Sequence, residues 1–349
     1  MSNHHPFAAI LAWIGVITTA AFVVGLIDFV RPYLRPSQIN RFLHTAPSPA
    51  GNSKDSSLHP WALITGTTSG IGLALAHELA SLGFNVVLHG RNPSKLNDVQ
   101  QSLQNAFPSR QFRTLVVDAS TCTTSPDIFK DITARLNDIH LTALINNAGG
   151  AVPNTPELLD VYHPLALNTH ASISSTISLN LTFPIMLTST LLPVLSHRNS
   201  GPALIITIGS FSDSGMPLVS VYSGAKAALR YTMEGLSREV DFPAPPGLTS
   251  PTVVEGSPRS NITIHHMRIG SVTGVSHNQA TPSLFMPNAT TVAKAIVARV
   301  GCGRTIIEPH WTMRLQSIFT DWFPWWVKDS VFRTAMVEQR DGVLAGETM

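Results

Sequence analysis

The amino-acid sequence predicts an α/β fold, a parallel sheet with helices wound over both faces in three layers, behind an N-terminal transmembrane helix. Three observations predict it. Residues Phe7 to Ile27 form an apolar run without a charge; six short apolar runs further on alternate with longer stretches of helical period; and the first of these leads into a glycine-rich turn that opens a helix.

The elements follow in chain order. The run "FAAILAWIGVITTAAFVVGLI" spans about 30 Å as a helix, the thickness of one hydrocarbon core. Only "MSNHHP" precedes it, whereas a secretory signal would want Lys or Arg before a shorter apolar core, so it reads as an uncleaved anchor over residues 1–30. Arg31, Arg35 and Arg41 follow it, which by the positive-inside rule places the remainder in the cytosol. The sequons at Asn180, Asn261 and Asn288 are then accidental. Charged residues make up 13% of the chain, about half the share usual in a soluble domain, in keeping with a membrane partner.

Residues 31–59, with "TAPSPAGNSKDSS", read as a linker. The runs "WALIT", "NVVLH", "RTLVVD", "LTALIN", "ALIITI" and "ITIHHM" then read as strands, separated mostly by amphipathic stretches of helical length. That alternation predicts parallel strands with crossover helices, a doubly wound sheet of the Rossmann type filling residues 60–310. The Pro- and Gly-rich stretch 241–260 reads as a loop insertion. In the tail, residues 311–349, four of the six tryptophans cluster near its start, which reads either as a lid on the core or as an aromatic contact with lipid headgroups.

Composition narrows the partners. A net charge of +2 without a basic stripe argues against nucleic acid. Cys122 and Cys302 form neither a disulfide framework nor a metal-binding cluster, so they read as small apolar filler, and no metal is expected.

The chemistry begins at "TGTTSGIG", residues 65–72. Gly66, Gly70 and Gly72 let the backbone turn sharply and approach a phosphate, with Thr68, Ser69 and Ile71 in the same loop and the helix N-terminus facing the pyrophosphate. Beyond the second strand, where an acidic residue would bind the 2′-hydroxyl of NAD, the chain carries Arg91 in "LHGRN". A guanidinium suits a 2′-phosphate, so NADP(H) is the expected cofactor. In "YSGAK", Tyr222 and Lys226 stand four apart and share one helical face.

The spacing of "TGTTSGIG", "NNAGG" and "YSGAK" resembles the short-chain dehydrogenase/reductase superfamily from about Pro60 to Pro309. The anchor, the linker, "NVVLHGRNPSKL" and "PSLFMPNATTVAKAIVARVG" before an aromatic tail resemble its microsomal group of 17β-hydroxysteroid dehydrogenases and very-long-chain 3-oxoacyl-CoA reductases. The resemblance implies a catalytic tetrad. Tyr222 would protonate the substrate carbonyl as hydride arrives from the nicotinamide. Lys226 would bind the ribose hydroxyls and lower the phenol's pKa, since two charges about 4 Å apart at an effective dielectric near 20 interact by about 4 kcal/mol. Ser210 would hydrogen-bond the carbonyl, with Ser212 as contender because the spacing to Tyr222 is one residue short. Asn180 would hold a water on the lysine's proton relay.

Cofactor contacts are implied for Asp118 at the adenine, for Asn146, Asn147 and Gly149 in "NNAGG", and for Gly270, Val272 and Thr273. Ile269 replaces the family's usual proline there. Some members of that group end in a dilysine signal, whereas this chain ends "VLAGETM", so residence in the endoplasmic reticulum is expected from the anchor alone. The resemblance leaves a homodimer open. The leading expectation is a membrane-anchored NADPH-dependent ketoreductase of a hydrophobic ketone, whether steroid, terpenoid, polyketide or 3-oxoacyl-type, with a very-long-chain 3-oxoacyl-CoA reductase of fatty-acid elongation as the alternative. A non-catalytic NADP(H)-binding scaffold or sensor is the reading from another class, because fold does not fix function.

Overall fold

A computed structural model describes residues 6–46, 58–122, 127–153, 161–196, 201–240, 261–275 and 278–344. The expected loop insertion, 241–260, lies outside the described residues.

Seven parallel strands form one sheet in the order β3-β2-β1-β4-β5-β6-β7. They are β1 (Pro60–Thr65), β2 (Asn85–Gly90), β3 (Phe112–Val116), β4 (His140–Asn146), β5 (Ala203–Ile208), β6 (Ile262–Met267) and β7 (Ile306–Ile307). The first six coincide with the apolar runs read from the sequence. The seventh has two residues, too short for any periodicity to register.

Alternation along the strands divides the core. Ala62, Ile64, Val86, Leu88, Leu204 and Ile206 pack on one face with helices α2 (Gly70–Leu82), α3 (Pro93–Ala106) and α8 (Ala289–Ala298). Trp61, Leu63, Val87, Ala203 and Ile205 point the other way, onto α4 (Ile128–Leu136) and α6 (Phe183–Ser196). A strand buried on both faces needs no polar residue, which is why these runs read as continuously apolar. Asn92 and Asn288 cap α3 and α8 by accepting from the backbone N–H three residues on. Between α5 (His170–Ile177) and α6 the helix widens into one π turn, Ser178–Thr182. On the Tyr222 side of the sheet, α7 (Ser220–Glu239) follows β5.

The N-terminal helix α1 (Pro6–Leu34) is long and apolar enough over Phe7–Leu34 to cross a membrane, and no residue of its most apolar 18-residue stretch is buried. The stretch His170–Ser196 passes the same test of length and composition, but 39% of its apolar 18-residue window is buried and it carries the core side chains of α6. Residues 31–46, expected as part of a linker, are built into the fold. The Tyr33 hydroxyl donates to the Glu308 carbonyl at 2.8 Å, Arg299 donates to the Pro32 carbonyl at 2.8 Å, and Ser37 donates to the Val297 carbonyl. Ile39 and Phe42 then enter the core.

The tail forms α9 (Trp311–Trp322) and α10 (Trp325–Leu344). The inner side of α9 packs through Thr312, Met313 and Ser317. Trp322, Trp325 and Trp326 stay 87%, 76% and 61% exposed, so these rings are not a lid on the core. Both cysteines are free and buried, as apolar filler should be. Asn180 is fully buried, so its side chain is not free for glycosylation in the folded chain.

Three imidazoles are buried in the sheet. His265 accepts from Gly301 N–H at its Nε2 and donates from Nδ1 to the Arg304 carbonyl, which fixes a neutral tautomer. Burial depresses the pKa of His89 and of His265 to about 4 and that of His266 to about 3. The unfolded chain, with histidine near 6.5, binds more protons between that value and the folded ones. Stability therefore falls as pH falls through that window. The detergent-solubilised chain should lose melting temperature steadily from about pH 7 to about pH 5, and His89→Phe, which can keep the stacking on Phe183, should make that slope shallower. A slope unchanged in the variant would remove His89 from this account.

Candidate active site

Every residue singled out by the sequence, except Asn180 and the helical pair, leaves the sheet at the carboxyl ends of the strands. β1 has β2 and β3 to one side and β4 to the other, so the chain's winding reverses between β1 and β4, and a crevice opens there.

The glycine turn fills that crevice's floor. Gly66 and Gly70 take left-handed backbone conformations, φ +71° and +57°, that side chains disfavour. Gly72 is required by proximity: a Cβ there would lie 2.1 Å from the Gly66 carbonyl oxygen and 2.5 Å from Asn147 Nδ2. Asn147 Nδ2 in turn donates to the carbonyls of Thr65 and Gly66, at 2.9 and 3.2 Å, and the Thr65 hydroxyl accepts from Asn147 N–H and Ala148 N–H. The Asn147 side chain is thus a brace behind the turn. Asn146, buried, donates to Thr188 Oγ1 on α6 and serves the core.

A nicotinamide dinucleotide fits what surrounds this turn. Ser69 caps α2 without a side-chain hydrogen bond, leaving the first-turn amides for an anion. Arg91 is exposed beyond β2 and makes no ion pair among the described residues. Asp118 follows β3 and accepts from Ser120 N–H and Oγ. Val272 and Thr273 are buried beyond β6, and Thr273 Oγ1 has no hydrogen-bond partner among the described residues.

On α7, Tyr222 and Lys226 share a face, with Lys226 Nζ 5.7 Å from the phenol ring centre. Lys226 is buried and donates to the Ile208 carbonyl at 3.0 Å; loss of water brings its pKa down to about 8. Opposite stands the turn after β5. The Ser212 hydroxyl donates to Ser210 Oγ at 2.8 Å, and both hydroxyls stand close enough to the Tyr222 phenol to favour its charged form. Sequence reasoning ranked Ser212 below Ser210, whereas the structure brings the two together.

The phenol corrects one expectation. Its pKa lies above the ordinary value of 10: burial raises it most, the two serine hydroxyls oppose that, and Tyr162 and Asp213 add to it. Lys226, spent on a carbonyl and tending toward its own neutral form, does not lower it here.

Asn180 sits in the π turn with its side chain satisfied by Gly150 and Thr176. Its Oδ1 accepts from Gly150 N–H at 2.9 Å, while Nδ2 donates to the carbonyls of Gly150 and Thr176. Its donors and acceptor are therefore occupied by backbone. Gly149 lies against both it and the lysine: a Cβ would come within 2.8 Å of Lys226 Nζ and 2.9 Å of Asn180 Oδ1. Asp213, Tyr162 and the buried His266 were missed in the sequence. Each is an ordinary residue type without a motif, brought to the site only by the folded chain.

Comparison with known proteins agrees with this geometry. The short chain dehydrogenase family model matches residues 60–242. A very-long-chain 3-oxooacyl-coA reductase of Caenorhabditis elegans is 29% identical over 287 residues, 81% of this chain and 82% of its own. The very-long-chain 3-oxoacyl-CoA reductase-B of Danio rerio is 29% identical over 67% of this chain and 69% of its own. Among solved structures, a short-chain dehydrogenase from Sphingobium yanoikuyae in complex with NADPH has the same fold, with a TM-score of 0.56 at 22% identity over 75% of this chain and 93% of its own.

The glycine contacts make a paired prediction. Gly72→Ala should cost about 3 kcal/mol or more in stability, because a backbone oxygen stands where the methyl must go. Gly224→Ala, in the same class of substitution but with nothing within 4 Å, should be neutral or stabilise α7 by up to about 1 kcal/mol. Denaturant melts of the two variants check both signs.

Proposed function

The chain belongs to the short-chain dehydrogenase family, and from that premise we propose that it is a membrane-anchored, NADPH-dependent ketoreductase of a hydrophobic carbonyl compound. Membership makes it an oxidoreductase that works with a nicotinamide cofactor. The finer reading rests above all on one observation, the convergence of Ser210, Ser212 and Lys226 around the Tyr222 phenol.

Bound NADPH would supply the hydride. The turn at Gly66, Thr68, Ser69, Gly70, Ile71 and Gly72 would cradle its phosphates, Arg91 would meet the 2′-phosphate, and Asp118, Asn147, Val272 and Thr273 would complete the binding surface. Ser210 holds the substrate carbonyl oxygen by a hydrogen bond and Tyr222 gives that oxygen its proton. A raised pKa keeps the phenol protonated at neutral pH, and donation to an alkoxide, a far stronger base than a phenolate, is still downhill. Lys226, with a pKa of about 8, is poised to exchange a proton near neutrality and so to restore the phenol. Asn180 acts through Gly150, holding the loop against which Lys226 packs.

Helix α1 would anchor the chain as a single pass, with the catalytic domain on the cytosolic side, where Arg31, Arg35 and Arg41 favour it; the endoplasmic reticulum is the membrane we propose. In domain terms, the anchor, the connection and the exposed aromatic tail then flank one catalytic unit at 60–310.

Two substrate readings remain, and each has an observation in its favour. The names of the relatives favour a very-long-chain 3-oxoacyl-CoA. A steroid, terpenoid or polyketide ketone is favoured because Arg304 and Arg314, which could have met the phosphates of CoA, are engaged with Asp28 and Glu308. Detergent-solubilised protein incubated with NADPH and a panel of 3-oxoacyl-CoAs, 17-ketosteroids and apolar ketones decides between them. Tyr222→Phe should lose turnover by at least about a thousandfold while still binding NADPH; retained activity would sink the mechanism. Arg91→Glu should reduce the preference for NADPH over NADH by about tenfold or more, whereas equal rates with both cofactors in the unaltered protein would dispose of the argument from Arg91.

A further inference from the structure

Behind the catalytic turn lies a buried charge cluster that the proposed reaction does not use. The Asp213 carboxylate, one residue beyond Ser212, has a side chain only 1% exposed. Arg268, at the end of β6 and itself 6% exposed, donates from Nε to its two oxygens at 2.9 and 3.0 Å. The same guanidinium donates to Ser214 Oγ at 2.8 Å and stacks 5.1 Å from the Phe211 ring centre. Arg230, one helical turn beyond Lys226 on α7, reaches Asp213 Oδ2 at 3.3 Å. One buried side chain therefore grips three of the four residues Phe211–Ser214, which form a single helical turn.

That turn carries the serines. Asp213 N–H donates to the Ser210 carbonyl at 3.1 Å, and Ser212 N–H donates to Ser210 Oγ at 3.2 Å, so displacing Asp213 displaces both hydroxyls. Stability alone is a poor reason for the arrangement, because a buried ion pair is often matched or bettered by apolar residues of the same volume. What one guanidinium held at once by a carboxylate, a hydroxyl and a ring supplies is fixed geometry. The cluster also continues outward: Arg268 lies 3.7 Å from Glu308, Glu308 pairs with Arg314 at 3.0 Å, and Arg314 reaches Asp28 on α1 at 3.4 Å.

We infer that Arg268 is a positioning residue, which through its paired grip on Asp213 fixes the turn that presents Ser210 and Ser212 to Tyr222. The inference rests on the reading of Tyr222 as proton donor. It has an electrostatic corollary. The groups that face the phenol are Ser210, Ser212 and Asp213 from the turn, Tyr162 from the segment before α5, and Lys226 from its own helix, with His266 beneath on β6. Of these Asp213 is the carboxylate, and Arg268 and Arg230 are its counter-charges.

The test uses the full detergent-solubilised chain as Arg268→Gln, Arg268→Lys, Asp213→Asn and the double variant Arg268→Gln/Asp213→Asn. Turnover with NADPH is followed across pH, NADPH binding by fluorescence, and the Tyr222 phenol by ultraviolet tyrosinate absorbance after subtraction of Tyr222→Phe. Arg268→Gln should lower kcat by about tenfold or more with NADPH affinity held within about twofold. Its less compensated Asp213 should raise the phenol's titration midpoint and move the basic limb of the kcat profile upward. The double variant should bring the midpoint back down, and Arg268→Lys, which keeps the charge but loses the fork and is the variant to use if Gln does not fold, should lie between in kcat with an unshifted midpoint. Wild-type kcat and midpoint in Arg268→Gln, or a loss of melting temperature alone, would overturn the inference. Absence of turnover in the unaltered protein would instead overturn the proposed reaction, and the tyrosinate titration would still decide the role of Arg268.

Discussion

The architecture depends on one close approach, where the first turn of α2 passes the end of β1 with no room for a methyl group. Gly72 against the Gly66 carbonyl sets how near the helix may lie to the sheet. Asn147, arriving from β4, bonds the same carbonyl and that of Thr65. Two neighbouring segments and a third about eighty residues further along the chain are locked at the point where the winding reverses. Everything that follows β4, including α7 with its tyrosine and lysine, is laid out from there.

What was legible in the sequence was whatever repeats or is spaced locally. Six strands showed themselves because burial on both faces removes polar residues, and the glycine turn and the Tyr222–Lys226 pair because each function needs a fixed short spacing. What was hidden is held by long-range contact. Asp213 and Arg268 are 55 residues apart and belong to no periodic pattern, so nothing local marks either one. Residues 31–46 misled through composition. Proline, serine and arginine suggested a linker, yet their donors and acceptors are met by α8 and the turns beside it, which no reading of that segment alone could supply.

The phenol shows how a correct motif can carry an incomplete electrostatic argument. Charge proximity to Lys226 suggests a lowered pKa, but removing both groups from water opposes their charged forms, and here that effect is larger. Burial and attraction must be weighed together, and only the folded site gives the burial. Asn180 carries a similar lesson. A polar residue in a helix core looked like a water-holder, and its side chain is instead consumed by the backbone of Gly150, within a π turn of the kind often found where a helix borders a functional site.

The strapping of residues 32–38 onto α8 and the strand beyond it bears on how the enzyme meets its substrates. A catalytic unit on a floppy leash samples every tilt, and its mouth faces the lipid only part of the time. Bonds from Tyr33, Ser37 and Arg299 shorten that leash to almost nothing, so under the anchoring proposed above the orientation of the whole sheet would follow the tilt of a single helix. For a molecule that partitions into lipid, encounter with an enzyme so anchored would become a search in two dimensions at fixed height, and local abundance in the bilayer rather than solubility in water would govern the rate.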